Sequence, residues 1–154
     1  MADRFFVFQT IGEGSPYMTR VLVGRLRLHI FHRGDGDEDP HDHPWAFTTF
    51  PLTSYVEDVT TIDPSGISVH RQTVKAFRFH RRPASYLHRV IGRAPGGWLW
   101  PTKIITLVWR GPGGRQWRFL KHRDGRYCWQ AWREYARGGR HAPCEPSHPP
   151  ASAE

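Results

Sequence analysis

Hydrophobic and polar residues alternate along residues 19–32. Leu26, Leu28 and Ile30 occupy every second position, and polar residues such as His29 lie between them. Successive side chains of an extended chain point to opposite faces. This two-residue period therefore predicts a half-buried β-strand.

Short runs rich in apolar and β-branched residues recur along the rest of the chain, separated by glycine- and proline-rich turns. The runs are residues 5–9, 45–52, 55–62, 74–80, 87–91, 103–109 and 116–120. No long helical period interrupts them, although residues 127–137 could include a short helical segment. Short strands at turn-like spacing, roughly nine or ten in total, are typical of a sandwich or a barrel. We therefore expect an all-β fold.

The length of 154 residues suits one domain with one core. A hydrophobic fraction of 38% is that of a globular protein. Residues 137–154 are too poor in apolar side chains to pack, which predicts a flexible C-terminal tail. The expected organisation is a β-barrel domain over residues 1–136, followed by this tail.

The chain is strongly basic, with a formal net charge of +8 and a pI of about 10.2. Such a charge favours anionic partners, and nucleic acid is one of them. The basic residues are spread along the chain, however, and a long block of lysine and arginine is absent before residues 133–140. A generally basic surface is the simpler interpretation.

The sequence carries two cysteines, Cys128 and Cys144, too few for a disulfide-dense secreted scaffold. We expect one buried thiol and one thiol in the tail. The first residues do not resemble a signal peptide, and no run approaches the roughly 20 apolar residues of a membrane-spanning helix. These features predict a soluble protein of the cytoplasm, without membrane contact.

The sharpest chemical feature is the pair His41 and His43, two positions apart. On a strand both imidazoles point to the same face. Pro44 biases His43 towards an extended backbone, and Pro40 fixes its own φ just before His41. Neutral imidazole is a common ligand of transition metals, but two imidazoles do not make a tight site. A third ligand must come from elsewhere in the chain.

His88 follows a turn that begins at Pro83. Together with the His41/His43 pair, it makes the sequence resemble the cupin superfamily, whose first motif contains His-x-His and whose second reads Pro-x-Gly-x-x-His. Residues 83–88 keep the second spacing, with Ser85 in the glycine position.

The resemblance covers roughly residues 20–120. It is closest to small bacterial and phage-like cupins with a His-Asp-His-Pro-Trp stretch, a later His-Arg-Val and a terminal Trp-Arg-Glu-Tyr, here residues 132–135. The resemblance implies a single jelly-roll barrel (a double-stranded β-helix) with a short C-terminal extension. It also implies one divalent transition-metal ion on His41, His43 and His88.

The carboxylate of the first cupin motif is missing, because its place falls near Phe47 or Thr48. Glu57, on the returning strand, could replace it as a fourth metal ligand. The alternative is a carboxylate that is solvated or lies behind the ligands. With three histidines alone, two or three coordination positions would stay open for water or substrate.

An aromatic and basic pocket is expected around the metal. Trp45 and Phe47 share the parity of the paired histidines and could line the interior. Tyr55 could donate a hydrogen bond to a substrate, and Arg89 could hold a carboxylate or phosphate, so both are candidate catalytic residues. Ordinary packing in the core or at the rim is the alternative for each.

Two functions follow from these expectations. The first is a mononuclear non-haem metal enzyme acting on a small anionic molecule, since three-histidine cupins resemble thiol dioxygenases. That resemblance favours iron, although zinc, nickel, manganese or copper also suit imidazole ligands. The second is a non-catalytic binding or regulatory module with a structural metal and a basic surface for nucleic acid or another partner. A homodimer is plausible from the resemblance alone.

Overall fold

The computed structural model describes residues 7–11, 16–96 and 102–144. Their secondary structure is mostly β. The strands are β1 (Val7–Ile11), β2 (Met18–Val23), β3 (Leu26–Phe31), β4 (Phe47–Pro51), β5 (Tyr55–Asp63), β6 (Gly66–Val74), β7 (His80–Arg82), β8 (Leu87–Arg93), β9 (Ile104–Arg110), β10 (Arg118–Arg123) and β11 (Arg126–Ala131). A short helix, α1 (Trp132–Ala136), and a 3₁₀ turn at Gly139–His141 follow them. No helix in the described ranges has the length and apolarity needed to span a membrane.

The first layer is a six-stranded antiparallel sheet in the order β1-β2-β3-β9-β4-β7. Met18, Thr49 and Val108 are buried on its inner face. Strand β9 holds the centre of this sheet, because it pairs with β3 on one side and with β4 on the other. This layer forms one wall of the protein interior.

Strand β3 presents its polar side to that interior. Phe31 packs against the buried core, and the His29 ring contacts Phe31. Residues two apart share a face of a strand, so the leucines of β3 lie on the outer face. Leu26 is accordingly 39% exposed. The alternation seen in the sequence is present, with its apolar positions turned outward.

The second layer contains the three-stranded sheet β6-β5-β8 and the hairpin β10-β11. His41 lies between these two parts and forms an antiparallel bridge with His88 on one side and with Phe119 on the other. The described strands thus form two facing layers built from three hydrogen-bonded sheets, not one continuous closed sheet. The all-β jelly-roll fold predicted from the sequence is confirmed.

The main hydrophobic cluster joins the two layers. Tyr55, Val74 and Val90 come from the second layer, Ile104 comes from the first, and Phe31 packs against them. The cluster therefore packs the two layers against each other.

Residues 137–144 attach to the second layer. The ammonium group of Lys121, a side chain only 1% exposed, donates hydrogen bonds to the carbonyl groups of Gly139 (2.6 Å) and Ala142 (2.7 Å). A disulfide joins Cys128 to Cys144, which corrects the expectation of two separate thiols. Residues 145–154 lie outside the described part of the chain, and the domain boundary after residue 136 stays a prediction.

Candidate metal site

The segment that carries the histidine pair is threaded between β8 and β10. The backbone N–H of His41 donates to the carbonyl of His88 at 3.0 Å, and the N–H of His88 donates back at 3.1 Å. On the other side, the N–H of Leu120 donates to the carbonyl of Pro40 at 2.9 Å. Because these bonds hold His41 in extended geometry, its neighbours alternate between the interior and the opposite face.

Asp42 anchors this segment from the opposite face. Its carboxylate is 1% exposed and accepts hydrogen bonds from the Arg118 backbone N–H (2.8 Å) and from the side chains of Arg115 (2.7 Å) and Arg118 (2.8 Å). The ion pairs and the backbone bond fix the residue that separates the two histidines. His41 and His43 are therefore both directed towards the interior.

Asp39 provides a second anchor. Its carboxylate accepts two hydrogen bonds from Arg123 (2.9 and 2.6 Å) and one from the Tyr135 hydroxyl (2.9 Å). The Tyr135 ring stacks on Phe119, with ring centroids 3.9 Å apart. The Trp-Arg-Glu-Tyr motif near the C-terminus thus braces the segment that leads into the histidine pair.

The three imidazoles form a nearly equilateral triangle. Ring centroids are 5.2 Å apart for His41 and His43, and 5.1 Å for each of these rings and His88. One nitrogen from each ring lies within 4.8 Å of the other two, and the Nε2 atoms of His43 and His88 are 2.9 Å apart. The sequence-based prediction that these three residues converge agrees with this geometry.

The environment keeps the paired imidazoles neutral. Burial lowers the pKa of His41 to about 4, and only part of this effect is offset by the negative charge of Asp35. Burial together with the neighbouring His88 and His41 lowers the pKa of His43 well below its ordinary value. A neutral ring offers a free lone pair at pH 7, which is the form that binds a metal ion.

Glu57 lies behind His88, and the structure does not group it with the three ligand nitrogens. Its carboxylate is fully buried, and Oε2 lies 2.8 Å from Nδ1 of His88. Oε1 accepts hydrogen bonds from Gln72 (2.7 Å), Arg82 (3.3 Å) and the Tyr86 hydroxyl. Burial alone would raise the pKa of Glu57, but hydrogen bonds from His88, Tyr86 and Gln72 lower it to about 2.

An ionised carboxylate only accepts hydrogen bonds, so the bonded Nδ1 of His88 must carry the proton. Nε2 of His88 is then the nitrogen that faces the other two rings. Of the two roles that the sequence leaves open for Glu57, this geometry matches a carboxylate that orients a ligand.

Aromatic rings surround the triangle. Trp45 stacks on His43 with centroids 5.4 Å apart, and Phe47 contacts the same ring edge-on at 4.6 Å. Trp117 and Phe119 contact His41 at 6.0 and 5.4 Å. The predicted aromatic surroundings are present, and they lower the local polarity around the three nitrogens.

The two candidate catalytic residues lie apart from the triangle. Tyr55 belongs to the hydrophobic cluster, and its burial raises its pKa well above the ordinary value. Arg89 follows His88 on β8 and so points to the opposite face, where it pairs with Asp58 at 3.0 Å. Within the described ranges, neither residue has a ring contact or hydrogen bond with the three histidines. Their catalytic assignment stays a prediction.

Two surface cavities lie elsewhere. The larger, about 540 Å³, is lined by residues that include Leu52, Lys75 and Arg78. The smaller, about 330 Å³, lies beside Trp117 and Trp132. Neither is lined by a histidine of the triangle, which occupies the space between the two layers.

Sequence reasoning missed the anchors of the site. Asp42 lies between the two histidines and Asp39 lies two residues before His41, yet their partners Arg115, Arg118 and Arg123 come from β10 and the segment that leads into it. The only available signal was that carboxylates alternate with the histidines in Asp-Pro-His-Asp-His. Such a pattern suggests outward-facing charges without naming their partners.

Comparison with solved structures relates this arrangement to known proteins. The crystal structure of Fe(II) HppE, which has a cupin fold, matches with a TM-score of 0.50 and 8% identity, covering 69% of this chain. The chain has a cupin fold. The matched region spans 56% of the HppE chain, little more than half of its length.

Two further structures are similar to this chain at lower scores. AerE from Microcystis aeruginosa has a TM-score of 0.45 at 16% identity, covering 79% of this chain and 57% of that one. A cupin domain from Bordetella pertussis has a TM-score of 0.37 at 11% identity, covering 73% and 99%. The sequence matches no family model and no curated protein. At these identities the similarity concerns the fold alone.

Proposed function

We propose that this cupin binds one divalent transition-metal ion on His41, His43 and His88 and acts as a mononuclear, dioxygenase-like oxidoreductase on a small anionic molecule. The observation that carries the proposal is the convergence of three ring nitrogens within 4.8 Å in a buried, aromatic setting. Three imidazole ligands suit iron, zinc, nickel, manganese and copper.

The donor set fits a catalytic metal better than a structural one. Structural zinc sites are closed by four protein ligands, whereas catalytic sites keep positions open. Here Glu57, the carboxylate bonded to His88, is fully occupied by hydrogen bonds with its own neighbours. The three histidines would therefore leave coordination positions for substrate.

The chain's own residues perform the positioning. Glu57 holds the proton of His88 on Nδ1 and keeps Nε2 directed at the site. The ion pairs of Asp42 hold His41 and His43 in one orientation. Trp45 and Phe47 cover the His43 side and reduce the access of water. When bound, the metal would supply Lewis acidity and, for a redox-active ion, electron transfer to dioxygen.

Iron is the preferred ion in this proposal. The structural match with Fe(II) HppE is consistent with it, although at 8% identity the match concerns the fold. Open positions beside three imidazole ligands are what an Fe(II) oxygenase needs for substrate and dioxygen. The identity of the bound metal should therefore be measured directly.

Elemental analysis tests metal binding. Protein purified without chelator and without a histidine tag should contain about one transition-metal ion per chain. The His41→Ala/His43→Ala variant should contain almost none, whereas His70→Ala, which alters an exposed histidine, should match the wild type. Equal metal contents in the wild type and the double variant would refute the site.

Oxygen uptake tests catalysis separately. Iron-loaded protein should consume dioxygen with a small thiol acid or an aromatic acid, and the double variant should not. If the protein binds one iron ion per chain but shows no turnover with either class of acid, the metal site stands and the dioxygenase proposal is refuted.

The alternative, a non-catalytic module whose basic surface contacts nucleic acid, has weaker support. Seven arginines of the described residues form ion pairs with carboxylates, which reduces the charge available to a partner. They are Arg71, Arg82, Arg89, Arg115, Arg118, Arg123 and Arg140. Binding to duplex DNA that weakens steeply with salt would favour this alternative.

A further inference from the structure

Three arginines form a diagonal row on the inner face of the first layer. Arg20 lies opposite His29 across β2 and β3, and Arg27 lies two residues from His29 on the same face. Val108 is opposite Arg27 on β9, and Arg110 follows it on the same face. The row therefore crosses three neighbouring strands, with steps of roughly 7–8 Å between diagonal neighbours.

The row ends beside the metal site. Arg110 lies directly opposite Phe47 across β9 and β4. Phe47 contacts the rings of both His43 (4.6 Å) and His88 (6.4 Å). One residue thus separates the last arginine of the row from the candidate metal ligands.

These arginines differ from the others in their partners. Among the residues that the structure describes, none of the three forms an ion pair with a carboxylate. Arg20 donates to the amide oxygen of Gln9 at 2.6 Å, and Arg27 donates to the carbonyls of Gly24 and Leu26 at its own turn. Nε of Arg110 is buried and has no hydrogen-bond partner.

The charges of Arg20 and Arg110 also act on Arg27. Desolvation lowers the pKa of Arg27, and the positive charges of Arg110 and Arg20 lower it further. Burial lowers the pKa of His29, and the positive charges of Arg20 and Arg27 lower it further. Half-buried guanidinium groups that repel each other, without an acid between them, are an arrangement that a bound anion would relieve.

We propose that Arg20, Arg27 and Arg110 form a binding site for a phosphate-like oxyanion group next to the metal site. Three positive charges and several N–H donors match a doubly charged tetrahedral group, such as a phosphate or phosphonate, better than a singly charged carboxylate. The assignment of this group to the substrate rests on the proposed function. The binding of the anion itself does not.

Calorimetric titration with inorganic phosphate, on chelator-treated protein, tests the site without a metal. Phosphate should bind to the wild type, and acetate should bind at least about tenfold more weakly. Arg27→Gln and Arg110→Gln should each weaken phosphate binding about tenfold or more, because each removes a charged donor. Arg126→Gln, which removes the same charge from the exposed start of β11, should leave binding unchanged.

Arg27→Lys and Arg110→Lys keep the charge and provide a second test if a glutamine variant does not fold. They should bind phosphate with intermediate affinity, because lysine loses the planar pair of donors. The proposal is overturned if metal-free wild type does not bind phosphate, or if folded variants bind it as the wild type does. Phosphate binding that requires added metal and ignores both substitutions would also overturn it, since the metal alone would then hold the anion.

Discussion

Nδ1 of His88 donates a hydrogen bond of 2.8 Å to Oε2 of Glu57, a carboxylate that is completely buried. The partners of the other oxygen, Tyr86 and Gln72, keep Glu57 ionised. The pair therefore sets which nitrogen of His88 faces the interior. It also explains why a negative charge is retained in an otherwise aromatic part of the molecule.

Glu57→Gln should weaken metal binding by roughly 10–100-fold, the usual effect of losing a carboxylate that orients a histidine ligand. The amide would leave donors of Gln72 and Arg82 with a poorer acceptor. Competition against a fluorescent chelator measures the affinity, and Glu134→Gln, on the exposed side of α1, is the matched control. An affinity within twofold of wild type in a folded variant would contradict the orienting role.

Asp42→Asn should destabilise the protein by about 1–3 kcal/mol, because it weakens the buried acceptor for the Arg118 backbone N–H and both side-chain ion pairs. Metal affinity should fall as well, since His41 and His43 lose their common anchor. Urea unfolding of metal-free protein measures the first effect, and chelator competition measures the second. Asp124→Asn is the control, because Asp124 is exposed in a turn with positive φ that asparagine tolerates.

The stability of the fold should depend on the protonation of His29. Burial, reinforced by the charges of Arg20 and Arg27, lowers the pKa of His29 from 6.5 to about 3. Folding therefore favours the neutral ring. This contribution is fully present above pH 6.5 and is lost as the pH falls from 6.5 towards 3, by up to about 1.4 kcal/mol per pH unit.

A comparison with His29→Gln isolates this contribution from those of the other histidines. The free energy of unfolding of wild type should fall more steeply between pH 7 and pH 4 than that of the variant, in buffers without phosphate. His70→Gln alters an exposed ring and should keep the wild-type slope. Identical slopes for wild type and His29→Gln would show that His29 is not the titrating group.

Reduction of the Cys128–Cys144 disulfide should lower stability by about 3 kcal/mol, the value expected for a cross-link over a sequence separation of 16 residues. Thermal unfolding with and without a reductant measures this loss. A Cys128→Ser/Cys144→Ser variant should unfold at the same temperature in both conditions. Two free thiols in denatured, unreduced protein would contradict the cross-link.

The metal triad could be predicted because its signals are local. The spacing of His41 and His43, the neighbouring prolines and the turn before His88 each restrict the backbone over a few residues. Strand parity then directs the paired side chains to one face. The resemblance to cupins supplied the remaining information, namely that a strand carrying the third histidine lies beside the first two.

The inward face of β3 could not be predicted in the same way. Leu26, Leu28 and Ile30 look like core residues, yet they lie on the outer face, whereas Arg27 and His29 face the interior. Period-two patterns identify two faces without saying which is buried. A polar inner face is expected where a protein lines a binding site, so this reversal is itself a sign of function.

The contact between Glu57 and His88 and the disulfide could not be predicted from the sequence, for a different reason. Both depend on which distant strands become neighbours, and that is decided by the whole topology. Glu57 contacts His88 because β5 pairs with β8, and Cys144 reaches Cys128 because residues 139–141 turn back over Lys121. The local secondary-structure propensity of the sequence carries no information about either contact.

His41 is at once a candidate ligand and a residue that bridges β8 and β10, through His88 and Phe119. A metal bound to His41 would therefore also act on the junction between β8 and β10, the two parts of the second layer. Inserting or deleting one residue on either side of His41 would disrupt this junction and would also turn the imidazole to the opposite face. The candidate metal site and the β8–β10 junction therefore depend on the same residue, so a variant that keeps one must keep the geometry of the other.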